Sequence, residues 1–191
     1  MTNNLLPGML TDGQLEFFVV ENKVKVMHSG KIESFEDTPF EIFQVLKETI
    51  NNDPLVLEKL IEMHPSSEYR RIEQFVQCRF GGLDYTGDFC TKENKLQDGE
   101  YWPCSKHGNC SAEGVLCRLP TINGERLTVQ EIQLIQLTTT DMTNEVIAEE
   151  MNLPLGTFHK LKHSLYQKIG NIQTKQCLTK IAIAFNLINS H

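Results

Sequence analysis

Apolar and polar positions follow two different periods along this chain, and the change from one to the other divides it. Leu15 to Val20 and Lys23 to Met27 are rich in Val and Phe and are separated by Glu21-Asn22, which predicts a β-hairpin. A third strand is expected from Lys31 to Phe35, after Ser29-Gly30.

Helical spacing then takes over. Thr38-Pro39-Phe40-Glu41 combines a capping residue, a proline at the first helical position and a glutamate placed to reach back, so a helix is expected to start there and end near Asn51-Asn52. Asp53-Pro54 restarts a helix with Leu57, Leu60 and Ile61 on one face, and His64-Pro65 stops it. Ser66 or Ser67 caps a third, in which Tyr69, Ile72, Phe75 and Val76 form an inward stripe leading to Cys78.

From Arg79 to Asn123 neither period persists; the stretch is loop-rich and reads as an insert that needs a staple. After Asn123-Gly124 the helical period returns. Thr128-x-x-Glu131 is a capping box ahead of Ile132 and Ile135, with Leu134 and Leu137 on the flank. Thr143 caps a second helix with Val146, Ile147 and Met151 inward, closed by Asn152. A third helix is predicted from Leu155 to Ile169 with Phe158, Leu161, Leu165 and Ile169 inward and Gly170 as its left-handed stop; a fourth starts at Thr174.

Two short helices, a tight connection from Asn152 to Pro154 and a longer polar helix make a helix-turn-helix. The predicted class is therefore α+β: an N-terminal strand hairpin with helices over residues 1–77, a cysteine-rich metal-binding insert over 78–120, and an all-α four-helix domain over 121–191.

The run Leu127-Thr128-x-x-Glu131, Asn144-x-x-Ile147-Ala148, Thr157-Phe158-His159 and Lys168-Ile169-Gly170 resembles, in order and spacing, the LuxR-type (GerE-type) DNA-binding domain over roughly residues 125–187. The resemblance implies a four-helix regulator domain that lays its third helix in the major groove and often dimerises through its last helix. Three features depart from the family pattern, the first being Glu145, Glu149 and Glu150 on the second helix. Pro154 stands where a serine cap is common, and the usual Thr-Val-Lys-x-His is here Thr157-Phe158-His159-Lys160-Leu161, which moves the basic group by one place.

On that helix His159, Lys160, His163 and Gln167 lie opposite the apolar stripe and are the candidates for base edges. Thr143, Asn144, Thr157, Lys162 and Lys168 suit phosphates, which position a protein without reading sequence. The apolar row Leu178, Ile181, Phe185 and Ile188 suggests a self-associating last helix, hence a homodimer. Cys177 is expected to be a small core residue without chemistry.

Charge sharpens this picture. The formal net charge is -7 overall, yet residues 151–191 carry five lysines and no acid. An acid-free basic end on an acidic chain is the electrostatic footprint of a nucleic-acid-facing surface. No apolar run approaches the ~20 residues of a membrane span, and Met1 to Gly13 shows no secretory pattern, so a cytoplasmic protein is expected.

In a reducing compartment the six cysteines point to metal rather than disulfides, and five of them lie between Cys78 and Cys117. Cys104-x5-Cys110-x6-Cys117 places three soft ligands in one loop. A structural zinc would be completed by Cys78, which is preferred because Gly81-Gly82 follow it, or by Cys90 or His107. An iron-sulfur cluster is the other metal reading, and it would make the protein a redox sensor.

The sequence thus points to a DNA-binding transcription regulator with double-stranded DNA, a second copy and RNA polymerase as partners. The alternative is an adaptor that uses the same helices against protein. Residues 1–77 lack the length and acidic strand ends of a phosphoreceiver, and no nucleophile-base pair or phosphate loop speaks for an enzyme.

Overall fold

A computed structural model describes residues 13–83, 87–99, 101–102, 104–185 and 187–188. The stretch Met1 to Asp12, in which no secretory pattern was expected, lies outside the described residues. The chain is α+β, with an antiparallel sheet and seven α-helices among the described residues, and it forms two compact units. One comprises the chain up to Cys104 together with Cys110–Arg118; the other comprises Ser105–Asn109 and everything from Leu119 on.

In the first unit β1 (Gln14–Val20) and β2 (Lys23–His28) form the expected hairpin, with Leu15 opposite His28 and Val20 opposite Lys23. Its two turn residues, Glu21 and Asn22, both take positive φ, as the tight connection requires. β3 (Lys31–Ser34) extends the sheet beside β2. Part of the loop-rich stretch that begins at Arg79 joins this sheet. Two-residue strands β4 (Phe89–Cys90) and β5 (Lys95–Leu96) add to the far side of β1, giving the order β3-β2-β1-β4-β5. Strands this short carry no readable period, which is why the sequence pattern shows only loop there.

Three helices cover one face of this sheet: α1 (Phe40–Asn51), α2 (Pro54–Met63) and α3 (Glu68–Arg79). Asp53 caps α2 by accepting the Val56 N–H, and Ser67 caps α3 by accepting the Arg70 N–H. The expected cap at Thr38 does not form. Extended Pro39 occupies that position without a side-chain bond, and the Thr38 hydroxyl is buried with no partner among the described residues. In α2 the buried stripe is Val56 and Leu60; Ile61 faces outward. Leu15, Phe17, Val26, Leu46, Leu60, Phe75 and Phe80 fill the core.

In the second unit Thr121–Ile122 (β6) and Glu125–Arg126 (β7) pair across Asn123-Gly124, both at positive φ. Four helices follow: α4 (Val129–Thr138), α5 (Asn144–Glu150), α6 (Leu155–Lys168) and α7 (Lys175–Ala184). Their caps are Thr128, Thr143, Pro154 and Thr174 in turn, and Pro154 is the one that offers no side-chain bond. Ile132, Leu134, Ile135, Ile147, Phe158, Leu165 and Leu178 are buried.

Candidate nucleic-acid interface and cysteine cluster

α5 and α6 pack together across a turn in which Asn152 takes φ 53°, a left-handed conformation that asparagine tolerates. The Asn152 N–H donates to Glu149 O and the Leu153 N–H to Ala148 O, which closes α5 tightly before Pro154 restarts the helix. In α5 the buried residues are Ile147 and Ala148, followed by Met151 at the cap; Val146, expected inward, is exposed.

The outward face of α6 carries Thr157, His159, Lys160, His163 and Gln167, all exposed. His159, His163 and Gln167 line one cavity of about 440 Å³ with Lys162, Tyr166 and Gln173. Lys160 lies outside that lining. Tyr166 and Gln173 were not singled out by the sequence pattern, which ranks residues by charge and helix face and is blind to what the chain after α6 folds back against.

Four of the five expected phosphate residues are engaged inside the unit. Lys162 is half-buried; its ammonium donates to Asn144 Oδ1 at 2.9 Å and lies 5.8 Å from the Phe158 ring centre and 5.7 Å from that of Tyr166. Burial, and then Lys175, hold its pKa below the ordinary lysine value. The same bond occupies Asn144, while Thr143 spends its hydroxyl on the Val146 N–H.

Lys168 donates to Glu131 Oε2 and to Arg126 O, both at 2.8 Å, and its side chain is only 15% exposed. Lys175 bonds the carbonyl of Thr140. The lysines left pointing outward from α6 and α7 are thus fewer than the sequence charge suggests.

The proposed self-association row also divides. Leu178 is fully buried in the unit together with Ala182, Ile181 and Ile188 are partly buried and Phe185 is exposed, as is Ile183 outside the row. Cys177 is exposed as well, one place off the buried face of α7. Met142 ahead of α5, Val146 on α5 and Leu155 at the start of α6 expose 43%, 46% and 41% of their surface.

In the first unit Cys78 lies in the last turn of α3 and packs, with Cys110, against the hydrophobic core. Gln74 Nε2 donates to its sulfur at 3.2 Å, and the Gly114 N–H donates to the Cys117 sulfur at 3.3 Å. Burial pushes the Cys78 thiol up to about 11, against the Gln74 bond, and the neighbouring Cys117, Cys110 and Cys104 raise it further. Burial also raises Cys117. Cys90 sits in β4, paired with Gln14 and Lys95 in the sheet, and His107 belongs to the residues of the other unit.

The loop that carries the last two cysteines is tied to α3 by Arg79. Its guanidinium donates to Leu116 O at 2.7 Å and to Val115 O at 3.0 Å and lies 5.0 Å from the Phe75 ring centre. No disulfide joins any of the six cysteines, and among the described residues no group of three or more His, Cys, Asp or Glu side chains is drawn together so that it could hold a metal ion. Nor is any described helix long and apolar enough to cross a membrane.

Set against known protein families, characterised proteins and solved structures, the chain finds no match.

Proposed function

We propose that this protein is a non-enzymatic, sequence-specific DNA-binding transcription regulator that lays α6 in the major groove of double-stranded DNA. The observation that carries the reading is the α5–turn–α6 arrangement. A helix held from behind by Phe158, Leu165 and Ile169 presents Thr157, His159, Lys160, His163 and Gln167 outward, in a segment without acids. A self-associating pair presenting two such helices would read two half-sites, with Ile183 and Phe185 available to join the copies, and RNA polymerase is the natural further partner.

In the same reading Cys78, Cys104, Cys110 and Cys117 hold a structural zinc. Burial raises the thiols of Cys78 and Cys117, so their thiolates would need the cation's charge, and the N–H groups aimed at both sulfurs would support them. Zinc would fasten the loop to α3 where Arg79 already does so. An iron-sulfur cluster on the same four thiols is the alternative.

Exposed apolar Met142, Val146 and Leu155, on and around α5 and the start of α6, favour one competing reading, an adaptor that receives a protein partner there. Selection from random duplexes at several salt concentrations decides between them. Enrichment of a common motif, with affinity falling as salt rises, supports the regulator. Absence of salt-dependent binding to any duplex by metal-loaded protein leaves the adaptor.

A further inference from the structure

The first unit contains a cavity of about 440 Å³ that DNA binding does not use. It opens where the face of the sheet that packs on the helices meets the start of α1. Register explains how it is built: His28, Leu15 and Phe89 stand side by side across three strands, and Val26 stands beside Glu33 across two. The floor is apolar, made by buried Leu15, Val26, Phe89 and, from α1, Ile42. Pro39 leads Glu41 to the cavity from one side, and β3 brings Glu33 from another.

Some acids on the same unit are spent on ion pairs. Glu62, Glu68 and Glu73 each pair with Lys59, Lys47 and Arg70 in turn. Glu33 and Glu41 are exposed, and neither has an ion-pair or hydrogen-bond partner among the described residues. A pocket of this size, apolar at its base with a few polar groups converging on it, has the form of a small-molecule site. Its charge selects the ligand: two acids repel an anion and gain less from a neutral donor than from a charged one, so they favour a cation whose apolar part covers the floor.

We propose that this cavity binds a small organic cation, with an aromatic or aliphatic body on Leu15, Val26, Ile42 and Phe89 and an ammonium or amidinium group between Glu33 and Glu41. The site does not depend on the reading of α6, and occupancy can be measured without DNA.

The test uses the full chain and three probes of one shape: phenethylamine, the neutral 2-phenylethanol and the anionic 3-phenylpropionate. Backbone amide shifts are followed by NMR during titration. For a fragment of this size a Kd on the order of 1 mM is expected for the amine. Saturable shifts should fall on residues around Leu15, His28, Glu33 and Ile42, with the alcohol and the acid at least about tenfold weaker. Glu33→Gln with Glu41→Gln, both at exposed positions, should weaken the amine by about tenfold while the rest of the spectrum stays in place, as loss of bonds to a charged group does. The proposal is overturned if the alcohol or the acid binds as well as the amine. Shifts that fall elsewhere, no saturation by the amine, or full affinity in the double variant would each overturn it too.

Discussion

Lys168, at the end of α6, places its ammonium 2.8 Å from Glu131 Oε2 in the first turn of α4, thirty-seven residues earlier in the chain. The same carboxylate accepts the Thr128 N–H at 2.7 Å and the Thr128 hydroxyl at 3.1 Å. A capping box and an interhelix ion pair therefore share one oxygen. Lys168→Ala leaves that buried carboxylate without its cation, and should lower the stability of the second unit by about 1.5–3 kcal/mol. Urea unfolding followed by far-UV circular dichroism measures this; unchanged stability would show that the pair is mere surface decoration.

The pH dependence follows from the same group. Burial pushes the Glu131 carboxyl up, but Lys168 and the two Thr128 donors outweigh it and hold its pKa below the ordinary glutamate value. A folded-state pKa below the unfolded one means stability that is present above the unfolded value of about 4.3 and lost as pH falls through the folded one. The urea midpoint should thus decline below about pH 5 in the native chain. Glu131→Gln should start lower at neutral pH and decline less.

Lys162 joins α5 to α6 through Asn144 and sits against Phe158 and Tyr166. A double-mutant cycle with Lys162→Met and Asn144→Ala should return a coupling of about 0.5–1.5 kcal/mol. Lys162→Met alone should change the salt dependence of DNA binding little, because the ammonium is already engaged within the protein. A coupling near zero would return Lys162 to the role of a free phosphate contact.

Local chemistry made much of this fold legible. Asp53, Ser67, Thr128, Thr143 and Thr174 all cap helices where the sequence places them, because each bond closes within three residues. Gly170, at φ 112°, likewise follows α6 as a left-handed stop. Faces were less legible where apolar residues run together. In Leu55-Val56-Leu57 and in Val146-Ile147-Ala148 several rotations of the helix would bury an equal number, and packing chose Val56 and Ala148. The roles of Lys162 and Lys168 could not be read at all. Both look like exposed basic residues of a DNA-facing helix until partners eighteen and thirty-seven residues away come into place.

If the cysteine cluster holds zinc, elemental analysis should find it in purified protein, and Cys110→Ser or Cys117→Ser should abolish it. Cys177→Ser should keep the metal, since Cys177 is exposed and belongs to the other unit, and so should Cys90→Ser, whose residue lies in the sheet. Structural zinc in small domains contributes roughly 10–16 kcal/mol of binding free energy coupled to folding, so a strong chelator should unfold the loop that Arg79 straps to α3. Protein purified without zinc or iron, and indifferent to chelator, would remove the metal from the reading.

Separate residues on α6 should fail in separate ways, and that difference is the sharpest check on the major-groove reading. Lys160 and His163 are exposed donors on the outward face, His163 within the cavity beside Gln167 and Lys160 outside it. Replacing either by Ala should cost about 1–3 kcal/mol on the preferred site and flatten discrimination among sites, while non-specific binding changes less, because a base contact is lost. Lys168→Ala should behave otherwise, although Lys168 lies on the same helix and is of the same residue type as Lys160. A true phosphate contact would lower the slope of log affinity against log salt by about one. With its ammonium spent on Glu131 and Arg126, Lys168 should leave that slope unchanged and show its loss in stability instead. Titrations of the three variants at several salt concentrations, with unfolding measured in parallel, test both halves together. Equal losses on all duplexes for Lys160→Ala and His163→Ala would mean that α6 lies along the backbone rather than in the groove.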